Sequence, residues 1–466
     1  MQKIDFADGL PLPRRYWAMA TIILGITLSV LDATIVNLAL PDITRDLGAS
    51  ASASIWVVNA YQLATLGLLL PCAHLGDRLG YSRVYLAGLA LFTLASLACV
   101  VAPTLPWLAA ARAVQGVGAA GMMSVNSALV RLTYPSEHLG RAIALNSMVV
   151  ATASVAGPTA AALGLSVASW PWLFLIQLPL GVLVFVAGRR SLPANVVKAQ
   201  GARLSPLDLV LNVAMFSLVF LAADALGARS GDAADARLWL AAGALLAAGL
   251  VVGVFYLRRQ RRLAVPLFPI DLLRIRVFAL SMCTSISAFS SQSLAFIALP
   301  FLLLESQGRS HLEAGMVITA WPVATMLAAP VAGRLISRVH GGLLGGIGLA
   351  VMASGLALLA LAPPEPSAWN LAWRLALCGA GFGLFQSPNN HTIVTSAPLR
   401  RAGAASGMLG TARLTGQSLG AVLLGIIFSF AGVREGGPVI ALGLAAVLAA
   451  TAAVFSISRI RRPAAA

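Results

Sequence analysis

The chain has 466 residues, of which 59% are hydrophobic and only 10% charged, and its formal net charge is +16. A soluble domain carries roughly a quarter charged residues, so this composition excludes one and points to a polytopic helical membrane protein. The positive surplus does not signal nucleic acid, because almost all basic residues lie between apolar stretches, where they set membrane topology.

The first apolar run, Trp17–Pro41 (WAMATIILGITLSVLDATIVNLALP), is too long for a signal-peptide core, and no small-residue cleavage site follows it. It is therefore predicted to be a retained span. Stretches of about 20 apolar residues then recur almost to the C-terminus, each long enough to cross a bilayer core. Fourteen spans are predicted, near 17–40, 54–75, 84–102, 105–130, 140–163, 170–188, 205–224, 237–257, 277–304, 314–336, 341–362, 368–393, 403–430 and 438–458. With a cytoplasmic N-terminus, 24 of the 32 Lys and Arg residues fall on the cytoplasmic side. Five (Arg45, Arg229, Arg237, Arg309 and Arg434) fall outside, and Arg112, Arg374 and Arg413 lie within spans. This bias predicts that both termini are cytoplasmic.

Within this order a repeat is visible. Ala39-Leu40-Pro41 recurs as Ala298-Leu299-Pro300, Leu75-Gly76-Asp77-Arg78 as Leu335-Ile336-Ser337-Arg338, and Trp107-x4-Arg112 as Trp369-x4-Arg374; Gly157 pairs with Gly420. The offset drifts slowly from 259 to 263. The predicted organisation is an N-terminal six-helix bundle (1–190), a segment with two inserted helices and a basic surface stretch (191–276), and a parallel second six-helix bundle (277–466). The basic stretch Arg258–Arg276 is read as a surface helix at the lipid headgroups.

Asp32 stands out because a carboxylate deep in an apolar run is costly and usually functional. On the predicted topology it lies ~8 residues, or ~12 Å, below the outer end of its span, with Gly25, Ser29 and Val36 on the same face. Arg112 lies ~7 residues, or ~10 Å, below the outer end of span four, so the two charges share a depth. A guanidinium stays charged and favours the ionised form of a neighbouring carboxylate. Gln115 and Gly116 continue its face. The four cysteines (Cys72, Cys99, Cys283 and Cys378) form no CxxC pair and read as small core residues. His74, His138, His311, His340 and His391 are scattered without metal-ligand spacing, and neither lysine sits in a nucleotide-binding motif. No metal, cofactor or enzymatic constellation is expected.

Parallel six-helix repeats build the major facilitator transporters. LDATIVNLALPDI in span one, LGDRLGYSR between spans two and three, RAVQGVGAAG in span four, AGPTAA in span five and SWPWLFLIQLPLG in span six stand in the order of that superfamily's signatures. With fourteen spans, the chain resembles the drug:proton antiporters of multidrug efflux type. The resemblance implies an exporter of the bacterial inner (plasma) membrane, expected to act as a monomer on a small-molecule substrate and protons by alternating access. It implies proton coupling by Asp32 and Arg112, and a conformational latch made by Gly76, Asp77, Arg78, Gly80 and Arg83. Tyr81 and Ser82 stand where the family usually has basic residues. It also implies an antiporter element at Gly157-Pro158, where Ala161 and Ala162 replace the usual paired glycines.

The substrate cavity is expected at the repeat interface, lined by Asn59, Gln62, Gln115, Asn146, Ser291, Gln292, Trp321, Gln386 and Arg413, with Trp56, Tyr61, Phe289 and Phe296 as aromatic walls. Ser291 and Gln292 occupy the repeat position of Asp32 without its charge. Some members of the resembled family that export dications carry a second acid in span ten or thirteen; this chain has none there and adds Arg413 in span thirteen, so the resemblance argues against dications as cargo. A symporter, or an exporter of one specific metabolite, is the alternative.

Overall fold

A computed structural model of the chain describes residues 9–49, 54, 56–194, 205–227, 236–263, 266–309, 311–363, 366–431 and 436–460. Among them the chain is helical, with no β-strand. The helices are α1 (Arg14–Asp46), α2 (Trp56–Leu79), α3 (Tyr81–Val100), α4 (Leu105–Thr133), α5 (Ser136–Val167), α6 (Pro171–Leu175), α7 (Gln177–Ser191), α8 (Pro206–Gly227) and α9 (Ala236–Gln260). They continue with α10 (Ile270–Leu273), α11 (Arg276–Pro300, extended by a π turn over Phe301–Ser306), α12 (His311–Leu335), α13 (Gly341–Ala360), α14 (Ala368–Ser396), α15 (Ala402–Ala431) and α16 (Gly437–Ile457).

Eleven helical stretches among the described residues are long and apolar enough to cross a membrane. The expected spans on α5, α8 and α14 are helical but are not among these eleven. In α14 the sequence Gln386-Ser387-Pro388-Asn389-Asn390-His391 lowers the hydropathy. The first helix runs to Asp46, past the expected end at 40.

The chain packs as two units. The first comprises Met1–Leu209 with Ala397–Met408, the second Val210–Ser396 with Leu409–Ala466. In the first unit the helices meet through small residues, as membrane helices do when lipid offers no hydrophobic drive to associate. At Gly25, an added Cβ would sit 1.9 Å from the Tyr85 hydroxyl, which donates to the carbonyl of Thr21 at 2.9 Å. Gly80, at φ +116, makes the sharp link between α2 and α3 that a side chain would strain. The N-terminus of α4 is closed by Thr104, whose hydroxyl accepts from the Trp107 amide at 3.5 Å.

Each unit contains the same helix-to-helix staple. In the first, the Thr65 hydroxyl donates to the carbonyls of Tyr61 at 2.7 Å and Gly116 at 3.2 Å. In the second, Thr325 donates to the carbonyls of Trp321 at 3.0 Å and Gly379 at 2.9 Å. Gly116 and Gly379 permit the approach. A Cβ would lie 2.4 Å from the Tyr61 carbonyl oxygen at the first and 1.9 Å from that of Trp321 at the second. The paired helices also match in length: α4 and α14 have 29 residues each, and α3 and α13 have 20 each. A motif repeat visible in sequence is thus accompanied by repeated packing.

Candidate functional site

Asp32 is fully buried, at 0% exposure, and its carboxylate is the centre of a polar cluster in the first unit. Arg112 Nη1 donates to Asp32 Oδ2 at 2.5 Å. Two amides donate to Oδ1: Gln177 Nε2 at 2.9 Å and Gln115 Nε2 at 3.1 Å. The cluster therefore draws on α1, α4 and α7, and Ser96 of α3 completes it by accepting from Gln115 at 2.9 Å and donating to Gln177 Oε1 at 3.2 Å. Buried charge is tolerable only when paired and hydrogen-bonded, and here both conditions hold.

Arg112 is fixed on every side. Its Nε donates to the carbonyl of Val57 at 3.1 Å, and Nη1 also reaches Gln115 Oε1 at 2.6 Å. Its guanidinium carbon sits 4.4 Å from the Tyr61 ring centroid and 5.7 Å from that of Phe174. The flat cation lies against aromatic faces, a contact a lysine ammonium would not reproduce. Tyr61 is in turn held by Ser29, with the two hydroxyls 3.1 Å apart. Tyr61 supports the arginine, and Trp56, 46% exposed, stands apart from it.

The latch residues divide. Asp77 is buried and accepts from the backbone N–H groups of Gly403 at 3.0 Å and Ala404 at 3.3 Å, at the start of α15. This is how a carboxylate caps a helix N-terminus, where unpaired amides and the helix dipole favour negative charge. The Tyr81 hydroxyl donates to Asp77 Oδ1 at 2.8 Å, and Arg401 approaches Oδ2 at 3.8 Å. Arg78 and Arg83 are exposed. Tyr81, which replaces a basic residue of the family pattern, thus anchors the acid directly. Gly157 is buried within α5; the side chains of Pro158, Ala161 and Ala162 lie outside the described residues.

The other predicted residues are dispersed. Gln115 belongs to the Asp32 cluster. Asn146 Oδ1 accepts from Asn126 at 3.2 Å, Asn59 is buried, and Gln62 is half-buried. In the second unit Ser291 is sealed, donating to the Ala445 carbonyl at 2.6 Å, and Trp321 is 1% exposed in the core against Phe296, with ring centroids 4.9 Å apart. Ser291 and Trp321 therefore face neighbouring helices of their own unit. Gln386 is buried and Gln292 half-buried. Arg413 lies with its guanidinium 5.8 Å from the Phe289 ring centroid.

Three features escaped sequence reasoning. Gln177 lies within the span-six stretch SWPWLFLIQLPLG, where nothing in the sequence sets it apart. Arg401 looked like one more loop cation. In the second unit Arg459, just past the end of α16, donates to Ser281 Oγ and Asn389 Oδ1, each at 2.8 Å, and to the Ser456 carbonyl and hydroxyl. Burial pushes this guanidinium down to about 10, and these four partners are all neutral oxygens. His74 is buried with neither ring nitrogen hydrogen-bonded. No group of three or more potential metal ligands occurs among the described residues.

The geometry is a buried, counter-charged carboxylate inside a bundle whose packing recurs in the second unit. The chain belongs to the Major Facilitator Superfamily, whose family model matches residues 22–421 and 280–466. It is 51% identical over 463 residues to the uncharacterized transporter YebQ of Escherichia coli (strain K12), covering 99% of each chain. It is 28% identical to the riboflavin transporter RibZ of Clostridioides difficile (strain 630), covering 89% of each. It is 30% identical to the multidrug resistance protein Stp of Mycobacterium tuberculosis (strain CDC 1551 / Oshkosh), over 87% of this chain and 74% of that one. Among solved structures the human organic anion transporter MFSD10 (TETRAN) shares the fold, with a TM-score of 0.69 at 14% identity over 96% of this chain and 100% of that one.

Proposed function

We propose that this protein is a proton-coupled exporter that expels small amphipathic or toxic compounds from the cytoplasm by alternating access. It would cross the inner membrane fourteen times, as two six-helix bundles and two inserted helices, with both termini cytoplasmic. The observation that carries the reading is the fully buried Asp32 carboxylate with Arg112 as its counter-charge. The similarity to the multidrug resistance protein Stp supports toxic compounds as the cargo.

In this reading, Asp32 takes a proton from the outside when the cargo leaves and gives it to the cytoplasm when the next cargo binds. Protonation cancels the charge that Arg112 holds, so the ion pair loosens; deprotonation restores it. One proton moving inward supplies about 2.3 kcal/mol per 100 mV of potential and about 1.4 kcal/mol per pH unit. Asp77, through its cap on α15, acts as the conformational latch, and Gly157-Pro158 as the element on which helices slide. Asn59, Gln62, Asn146, Gln292, Gln386 and Arg413 are the proposed cargo contacts.

Inverted membrane vesicles with an imposed pH gradient test this. Ethidium, a lipophilic monocation, and riboflavin serve as probes. A probe that is a substrate dissipates the gradient in the wild type and not in Asp32→Asn. Equal dissipation in Asp32→Asn would overturn the mechanism, and protons and probe moving in the same direction would establish symport. A response to riboflavin alone would favour a single metabolite as cargo, a reading that the similarity to the riboflavin transporter RibZ supports.

A further inference from the structure

This inference rests on Asp32 as the proton carrier and concerns what its neighbours do when it takes a proton. The ionised carboxylate is served only by donors: Arg112 on Oδ2, and Gln115 and Gln177 on Oδ1. A carboxylic acid carries one O–H and needs an acceptor for it. Arg112 has none to give. Each glutamine owns one, its Oε1. That of Gln115 is held by the charged Nη1 of Arg112 at 2.6 Å. That of Gln177 meets only neutral donors, the Ser96 hydroxyl at 3.2 Å and the Gln115 amide at 3.2 Å. Charge-assisted bonds are roughly twice as strong as neutral ones, so the Gln177 oxygen is the one that comes free.

Local structure supports the same choice. Pro179 has no N–H for the carbonyl of Leu175, and the helix is interrupted at Ile176, which separates α6 from α7. Gln177 is the first residue of α7, 5% exposed, and its Nε2 also donates to the Leu173 carbonyl at 3.2 Å. The amide is thus a two-faced group at a helix break, with its donor edge on the acid and its acceptor edge on α3 and α4.

We propose that Gln177 is the positioning residue that follows the protonation state of Asp32, donating to the carboxylate and turning its amide to accept the carboxyl hydrogen once the acid is neutral. The turn withdraws Oε1 from Ser96 and Gln115. The proton on Asp32 is thereby felt on α3, α4 and α7 together, beyond the loosening of its own ion pair.

The test is an infrared pH titration of the purified full-length protein in lipid vesicles, reading the protonated-carboxyl band. Asp32→Asn identifies which band belongs to Asp32. Gln177→Met keeps the volume but removes both edges of the amide. The Asp32 band is expected to move to higher frequency, since its O–H has lost its acceptor. Gln177→Asn keeps an amide but withdraws it by one methylene, and it gives the same displacement should the Met variant not purify. A glutamine that only donates to the carboxylate, without turning to accept its hydrogen, leaves the frequency unchanged when replaced, and that result overturns the proposal. If no band is lost in Asp32→Asn, the carrier reading itself fails, and this inference with it.

Discussion

Arg112→Met removes the counter-charge from a carboxylate that water cannot reach. At the observed 2.5 Å, two unit charges in an effective dielectric of about 20 attract by about 7 kcal/mol. Against this stands the cost of stripping water from both ions, several kcal/mol each, so the pair adds little net stability over a well-packed apolar pair. Removing one partner is different. Asp32 would keep only its two amide donors, and breaking a buried pair in this way typically costs about 3–5 kcal/mol.

Asp32→Asn alone leaves Arg112 with the Val57 carbonyl and Gln115 and is expected to cost less. In the double variant the unpaired charges are gone, so its loss should fall short of the summed single losses by about 2 kcal/mol or more. The assay is the unfolding midpoint of the purified protein in detergent, followed by the fluorescence of its nine tryptophans. Arg112→Lys completes the series. It keeps the charge but loses the bond to Val57 and the flat contact with Tyr61, and should fall between wild type and Arg112→Met. Single losses that simply add in the double variant would refute the argument, because they would mean that the two charges do not feel each other.

Other expectations follow from the packing. Asp77→Ala should speed hydrogen exchange at the Gly403 and Ala404 amides by roughly tenfold, the worth of a helix cap of about 1–2 kcal/mol; unchanged exchange would mean the cap is not formed in the membrane. Gly379→Ala should destabilise by about 1–3 kcal/mol, since its Cβ meets the Trp321 carbonyl at 1.9 Å, whereas Gly243→Ala, with nothing within 4 Å, should be neutral or slightly stabilising in the same melt. Thr325→Val and Thr65→Val should each cost about 1 kcal/mol, with equal effects if the two staples are equivalent. Arg459→Met should cost about 1–3 kcal/mol through the polar groups it leaves behind, above all Asn389, and a midpoint at or above wild type would show that this buried cation is a liability rather than a tie.

The legibility of the site followed from how isolated each signal was. Asp32 and Arg112 were readable because each is a lone charge in an apolar run, and depth along two oppositely directed helices brought them level. Gln177 was not, because a glutamine in a membrane helix has many uses, and its inward aim depends on a break that Pro179 creates two residues later. Tyr81 read as the loss of a basic residue, whereas it supplies a phenol to Asp77. Arg401 read as topology, since a loop arginine gives no hint that the acid near it lies hundreds of residues earlier in the chain. The repeat was visible as four matched motifs, but its physical content was hidden in threonine and glycine, residues too common to notice. Trp321 stands where Tyr61 stands in the first copy, its carbonyl accepting from Thr325 as that of Tyr61 accepts from Thr65.

The counterpart of Asp32 in the second copy is uncharged, at Ser291 and Gln292. If Asp32 alone carries the proton, the electrical character of a turnover is decided by the cargo. A neutral compound leaving against one entering proton carries net positive charge inward, so membrane voltage drives it. A departing monocation cancels that charge, and the pH difference alone remains. A departing dication runs the current the other way, against the resting voltage. The sign of the current across a clamped membrane would therefore report the charge of the cargo.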